Sequence, residues 1–125
     1  MNTPLRVIVG ILGAFFLLQG AGWLFAPASA AEGLGMPLLD GVGRSTQIGD
    51  MGAFFLGLGT FILLGAIRRE RPWLLAGAIL LGGAAVVRSL STVFHGAPFA
   101  TQFIAIEAII AALLVFAATR RSEEV

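Results

Sequence analysis

Four nearly uninterrupted apolar runs, at residues 7–25, 46–67, 73–94 and 99–119, leave this chain few ways to fold. Each is close to the roughly 20 helical residues that cross the hydrocarbon core of a bilayer. A helix satisfies its backbone polar groups internally, so apolar runs of this length read as spanning helices. A water-soluble domain of 125 residues, 58% hydrophobic and 12% charged, would leave too much apolar surface in water. The mean hydropathy of +0.94 points the same way. The expected architecture is all-α: a polytopic membrane protein, residues 1–125 forming a single antiparallel four-transmembrane-helix bundle.

The first run has a competing reading. "MNTPLR", an apolar stretch and "APASAAE" resemble a secretory signal ending at Ala28-Ser29-Ala30. The apolar stretch is longer than the roughly 7–15 residues of a signal core, so it is taken as the first membrane helix. Between the first two runs, Ser29 and Glu32 have capping-box spacing, which predicts a short interfacial helix beginning there. Pro27, Gly33, Gly35, Pro37, Gly41 and Gly43 are expected to break up anything longer. "RRERP" is a tight charged turn with Pro72 in the first turn of the third helix, and "HGAP" a short neutral one.

All eight basic residues are Arg, in a chain rich in Ala and Gly, which suits a GC-rich bacterial genome. Arg6, Arg68, Arg69, Arg71, Arg120 and Arg121 fall on one side of the bundle and Arg44 on the other. The positive-inside rule then puts both termini in the cytoplasm, in a bacterial inner membrane. Trp23 and Trp73 near opposite faces read as interfacial aromatic belts. The terminal "RRSEEV" is most simply a solvated helix end.

Several function classes drop out. Cys is absent, which removes disulfides, thiol catalysis and thiolate metal sites. A net charge of +1 gives no reason to invoke nucleic acid. "GVGRST" lacks the Lys and the preceding strand of a phosphate loop. The pairs Phe15-Phe16 and Phe54-Phe55 are read as packing and lipid contact, not as a cofactor box. "GAFFLLQG" at 13–20 and "GAFFLGLG" at 52–59 look like a repeat, but they lie on oppositely directed helices and are set down to a shared small alphabet. No catalytic motif is recognised, and no cofactor or metal is called for.

What remains is a set of polar groups inside the spans. Gln19, Asp50, Arg88 and Glu107 each lie on a different helix, roughly 6–12 Å below the outer boundary at 1.5 Å per residue. At 100° per residue, Asp50 shares a face with Thr46, Ala53 and Gly57. Arg88 shares one with Gly77, Ala84, Ser91, Thr92 and His95, and Glu107 one with Ala100, Ala111 and Ala118. Arg88 is therefore expected to meet both carboxylates, with His95 at the outer mouth. With a single imidazole in the chain, His95 is read as a solvated loop residue in preference to a metal ligand. The cluster has two readings: a staple that fixes helix order, or a site for a ligand, proton or substrate. Gly49, Ala53 and Gly57 repeat every four residues, which suits either packing within the bundle or a homo-oligomer.

Three segments carry a family resemblance: "PASAAEGLG" at 27–35, "GDMGAFFLGLGTFILL" at 49–64 and "LLGGAAVVRSLSTVFHG" at 80–96, followed by Pro98, Phe99 and Glu107. With these the chain resembles a bacterial family of small four-helix membrane proteins of unknown function, close to the DoxX-like proteins. The resemblance implies that Arg88 and Glu107 are recurring positions, and it does not extend to Asp50. It also implies an accessory role, since DoxX is associated with a quinone-linked oxidoreductase. The expected function is an accessory or small-molecule-binding module in contact with membrane lipid and possible partner subunits. The alternative is a membrane enzyme or proton-coupled carrier of a small amphipathic substrate.

Overall fold

The computed structural model describes residues 1–121, so Ser122 to Val125 of the expected solvated end lie outside the described residues. Among the described residues the regular structure is all helical: α1 (Thr3–Phe25), α2 (Pro27–Gly33), α3 (Gly41–Arg68), α4 (Arg71–His95) and α5 (Thr101–Arg121). The four long helices are all apolar enough to cross a bilayer. They coincide with the four apolar runs and extend most of them by one to five residues, although α5 starts two residues later than its run.

Local chemistry explains those ends. Asn2 caps α1 by accepting a hydrogen bond from the Leu5 amide at 2.9 Å. The short α2 starts at Pro27, whose fixed φ suits a first turn, and Ala26 supplies no side-chain cap. Ser29 therefore lies inside α2 and the expected capping box does not form. Gly41 and Gly43, expected as breakers, sit in the first turn of α3. Gly41 takes the positive φ of 60° that joins the extended Asp40 to the helix. Arg44 braces that turn, donating from Nε to the Leu39 carbonyl at 2.9 Å and pairing with Asp40 at 3.0 Å.

Two helix pairs make up the bundle. α1 lies along α3 and α4 along α5; α3 meets α4, whereas α1 touches α5 only lightly. Arg6 on the first turn of α1 donates to the Ala66 and Ile67 carbonyls at 2.6 and 3.1 Å, which fixes α1 antiparallel to α3 and satisfies the end of α3. The α1–α3 seam is built on glycines. A Cβ on Gly59 would stand 2.7 Å from the Gly13 carbonyl oxygen and from the Leu17 amide, so the backbones meet directly.

The apparent repeat has a packing meaning that the sequence reading missed. Gly20 abuts Leu56 and Gly59 abuts Leu17 at corresponding places, and Phe16 stacks on Phe55 with centroids 6.1 Å apart. Residues 13–20 and 52–59 thus pair antiparallel about a local near-two-fold. By contrast, Gly49 and Gly57 have open space where a Cβ would stand, and Ala53 is exposed. The stripe expected as a possible bundle contact is a free surface of the chain. Packing within the bundle uses the neighbouring face instead: Gly52, Phe55, Gly59, Ile62 and Ala66.

The core is uneven along the bundle. The fully buried residues of α5 are Leu114, Ala117 and Ala118 in its last turns, and those of α4 end at Ala85. α1 and α3 stay in contact from Val9 to Trp23 and from Ala66 back to Gly52. One end of the bundle is sealed by Leu58, Ile62, Leu74 and Leu114, while at the other end the two pairs part. Trp23 is 0% exposed and belongs to the same core cluster as Ala31 of α2, so it is not a belt residue. Trp73 does sit at a helix end, half-buried, with its indole donating to Glu70 at 2.9 Å.

Candidate functional site

Where the pairs part they leave an open-sided cavity of about 870 Å³. That lies within the roughly 300–1,000 Å³ of small-molecule sites. One wall is α1 and α3, the other α4 and α5, and α2 covers part of it with Ser29, Ala30, Gly33 and Leu34. Most of the lining is apolar: Phe15, Phe16, Phe54, Phe55 and Phe103 with Leu81, Val87, Ile106 and Ile110.

Gln19, Asp50, Arg88 and Glu107 all line this cavity. Helix geometry accounts for their common level. Gln19 lies six residues before the end of α1, Arg88 seven before the end of α4 and Glu107 six after the start of α5, about 9–11 Å in at 1.5 Å per residue. α3 starts further out, so Asp50 reaches a similar level from nine residues within it. His95, the last residue of α4, is exposed and is not part of the cavity wall. It follows Arg88 by nearly two turns, and at that height α4 has left the cavity. Among the described residues no three His, Asp or Glu side chains gather as metal ligands.

Arg88 meets one carboxylate, not the expected two. Its Nε lies 3.0 Å from Glu107 Oε1, and its guanidinium sits over the Phe103 ring at 4.9 Å. Phe103 and Glu107 are one turn apart on α5, so a single helix face offers both a carboxylate and an aromatic ring to the arginine. The pair is shielded, with side-chain exposures of 31% for Arg88 and 13% for Glu107. Asp50 belongs to the opposite wall. It is exposed and makes no ion pair within 4.0 Å among the described residues.

Two residues that the sequence reading passed over hold the site in shape. Phe103 is the first, and its signal was the four-residue spacing to Glu107. Gln47 is the second and is the buried polar side chain of α3. Its Oε1 accepts from the Leu39 amide at 2.9 Å and its Nε2 donates to the Pro37 carbonyl at 3.1 Å. Those bonds tie the segment between α2 and α3 to the bundle and thereby keep α2 against the cavity.

The chain belongs to the family described as Domain of unknown function (DUF4345), whose model matches residues 4–118 and so spans every element around the cavity. No curated protein and no solved structure matches the chain. Membership of this family assigns no chemistry.

Proposed function

We propose that this DUF4345 chain is a membrane-embedded binding module that receives a small amphipathic molecule between its two helix pairs. The observation that carries the reading is the convergence of Gln19, Asp50, Arg88 and Glu107, from four helices, on one largely apolar cavity. A staple needs only the Arg88–Glu107 pair and no cavity. A polar group in lipid is costly, and ionisable groups that face a cavity within the spans mark functional sites by default. The apolar walls take the tail of the ligand, and the polar groups fix its head.

In the same reading the protein sits in a bacterial inner membrane with both termini cytoplasmic, and the cavity opens on the outer half. Its resemblance to DoxX-like proteins supports an accessory role beside a membrane enzyme. A carrier needs a second route on the far side, and the packed layer of Leu58, Ile62, Leu74 and Leu114 stands in that place. Binding without transport is thus the reading the geometry supports best.

The test is native mass spectrometry of the protein released from nanodiscs, comparing wild type with Ala84→Trp and, as a smaller plug, Ser91→Phe. Both positions line the cavity. The expected result is an amphiphile adduct on wild type that is lost from whichever plugged variant keeps the wild-type melting temperature. An identical adduct pattern on a folded plugged variant overturns the reading.

A further inference from the structure

The charges around the cavity do not cancel. Arg88 is met by Glu107 at 3.0 Å and is covered by Phe103, so its positive charge is balanced within its own wall. Asp50 on the α1–α3 wall has no cationic side chain within 4.0 Å among the described residues. The nearest arginine in its own helix, Arg44, is occupied by Asp40 and the Leu39 carbonyl. His95, the imidazole at this end, lies off the cavity. The formal charge of the lining is therefore one negative. In surroundings of low dielectric an unbalanced charge is worth several times its value in water. A negatively charged guest would add to the imbalance and a monocationic guest would remove it.

The ring content of the walls selects the same sign. Phe15 and Phe16 of α1 and Phe54 and Phe55 of α3 belong to the wall that carries Asp50, and all four line the cavity. The negative face of a phenyl ring attracts a cation, weakly at exposed sites and more strongly when desolvated. The molecule already uses that device on the facing wall, where Phe103 supports the Arg88 guanidinium. An aromatic cavity with one uncompensated carboxylate fits a bulky organic cation, whose charge is spread under an apolar surface and so costs little to bring out of water.

We propose that the ligand class of this cavity is the lipophilic organic monocation, with Asp50 as its counter-charge and the phenylalanines of α1 and α3 as its walls. This rests on the binding-module reading above and adds the sign of the charge. Tetraphenylphosphonium and tetraphenylborate are near-identical in size and shape and opposite in charge, and N-phenyl-1-naphthylamine supplies a neutral apolar probe. Each is titrated against the full chain in nanodiscs, with binding to empty nanodiscs subtracted.

The expected result is saturable binding of tetraphenylphosphonium, weakened on the order of tenfold by Asp50→Asn and restored by Asp50→Glu, as loss and return of a partly screened charge pair predict. Tetraphenylborate should show no saturable component. Asp50 is exposed, so the Asn variant is expected to melt with wild type, which the same samples report. Saturable tetraphenylborate binding, or tetraphenylphosphonium binding unchanged in Asp50→Asn, overturns the assignment of charge. Saturable binding of the neutral probe without either ion also overturns it and leaves the module reading standing. Absence of saturable binding by all three probes removes both.

Discussion

Arg88 is neutralised from one side only, so its removal strands one partner and not two. Glu107 is the more enclosed member, at 13% exposure against 31%, and its Oε1 has no other partner among the described residues. Arg88→Leu should therefore lower the melting temperature in detergent. Breaking a buried pair from one side costs about 3–5 kcal/mol, and the partial exposure of Arg88 places this one toward the low end or below it. Arg88→Leu with Glu107→Leu should recover part of the loss, because no charge is left unmatched. Arg88→Leu melting with wild type would show that the pair contributes nothing to stability. That Arg88 has a carboxylate was legible, because a charge in an apolar run requires a partner and few exist. That the partner is Glu107 and not Asp50 was not, because equal depth says nothing of which wall a side chain stands on. Trp23 shows the same limit. A tryptophan at the end of an apolar run reads as a belt residue until α2 is known to fold back into the core beside it.

At the scale of elements, hydropathy fixed the number and extent of the spans, while their facing was harder to read. Small residues can be aligned on more than one side of α3, and the stripe through Gly49, Ala53 and Gly57 is as regular as the one through Gly52 and Gly59. Only the contact with α1 distinguishes them. This yields a matched pair of substitutions two residues apart. Gly59→Ala places a methyl against the backbone of α1, where overpacking costs about 1–3 kcal/mol, and should lower the melting temperature. Gly57→Ala meets open space and should be neutral or stabilising, by up to about 1 kcal/mol from helix propensity. Thermal melts of both in one detergent decide it, and equal melting temperatures would show that the α1–α3 backbones are not in contact at Gly59. The short α2 was half legible. Its existence followed from the polar break after the first run, but its start did not, because Pro27 prevailed over the Ser29 capping box.

For the whole molecule, the sealed and open ends have opposite chemistry. Arg6, Arg68, Arg69, Arg71 and Arg120 gather at the sealed end, where Arg6 doubles as the cap of α3. The open end carries the cavity and, beyond it, Arg44 in a local pair with Asp40 and the exposed His95. The rule that orients a membrane protein counts arginines and not net charge, and outside the spans Arg44 alone stands at the open end against the five at the sealed end. The sealed end should therefore face the cytoplasm, and the cavity should be entered from the outer side. The absence of cysteine makes the test clean: Glu70→Cys and His95→Cys are made separately and treated in intact cells with a membrane-impermeant maleimide. Both positions are exposed and lie at opposite ends of α4. His95→Cys should label without permeabilisation and Glu70→Cys only after it. The reverse pattern would turn the protein over, placing the arginines outside and opening the cavity toward the cytoplasm. Labelling of both from outside would mean that α4 does not cross the bilayer, and would undo the bundle itself.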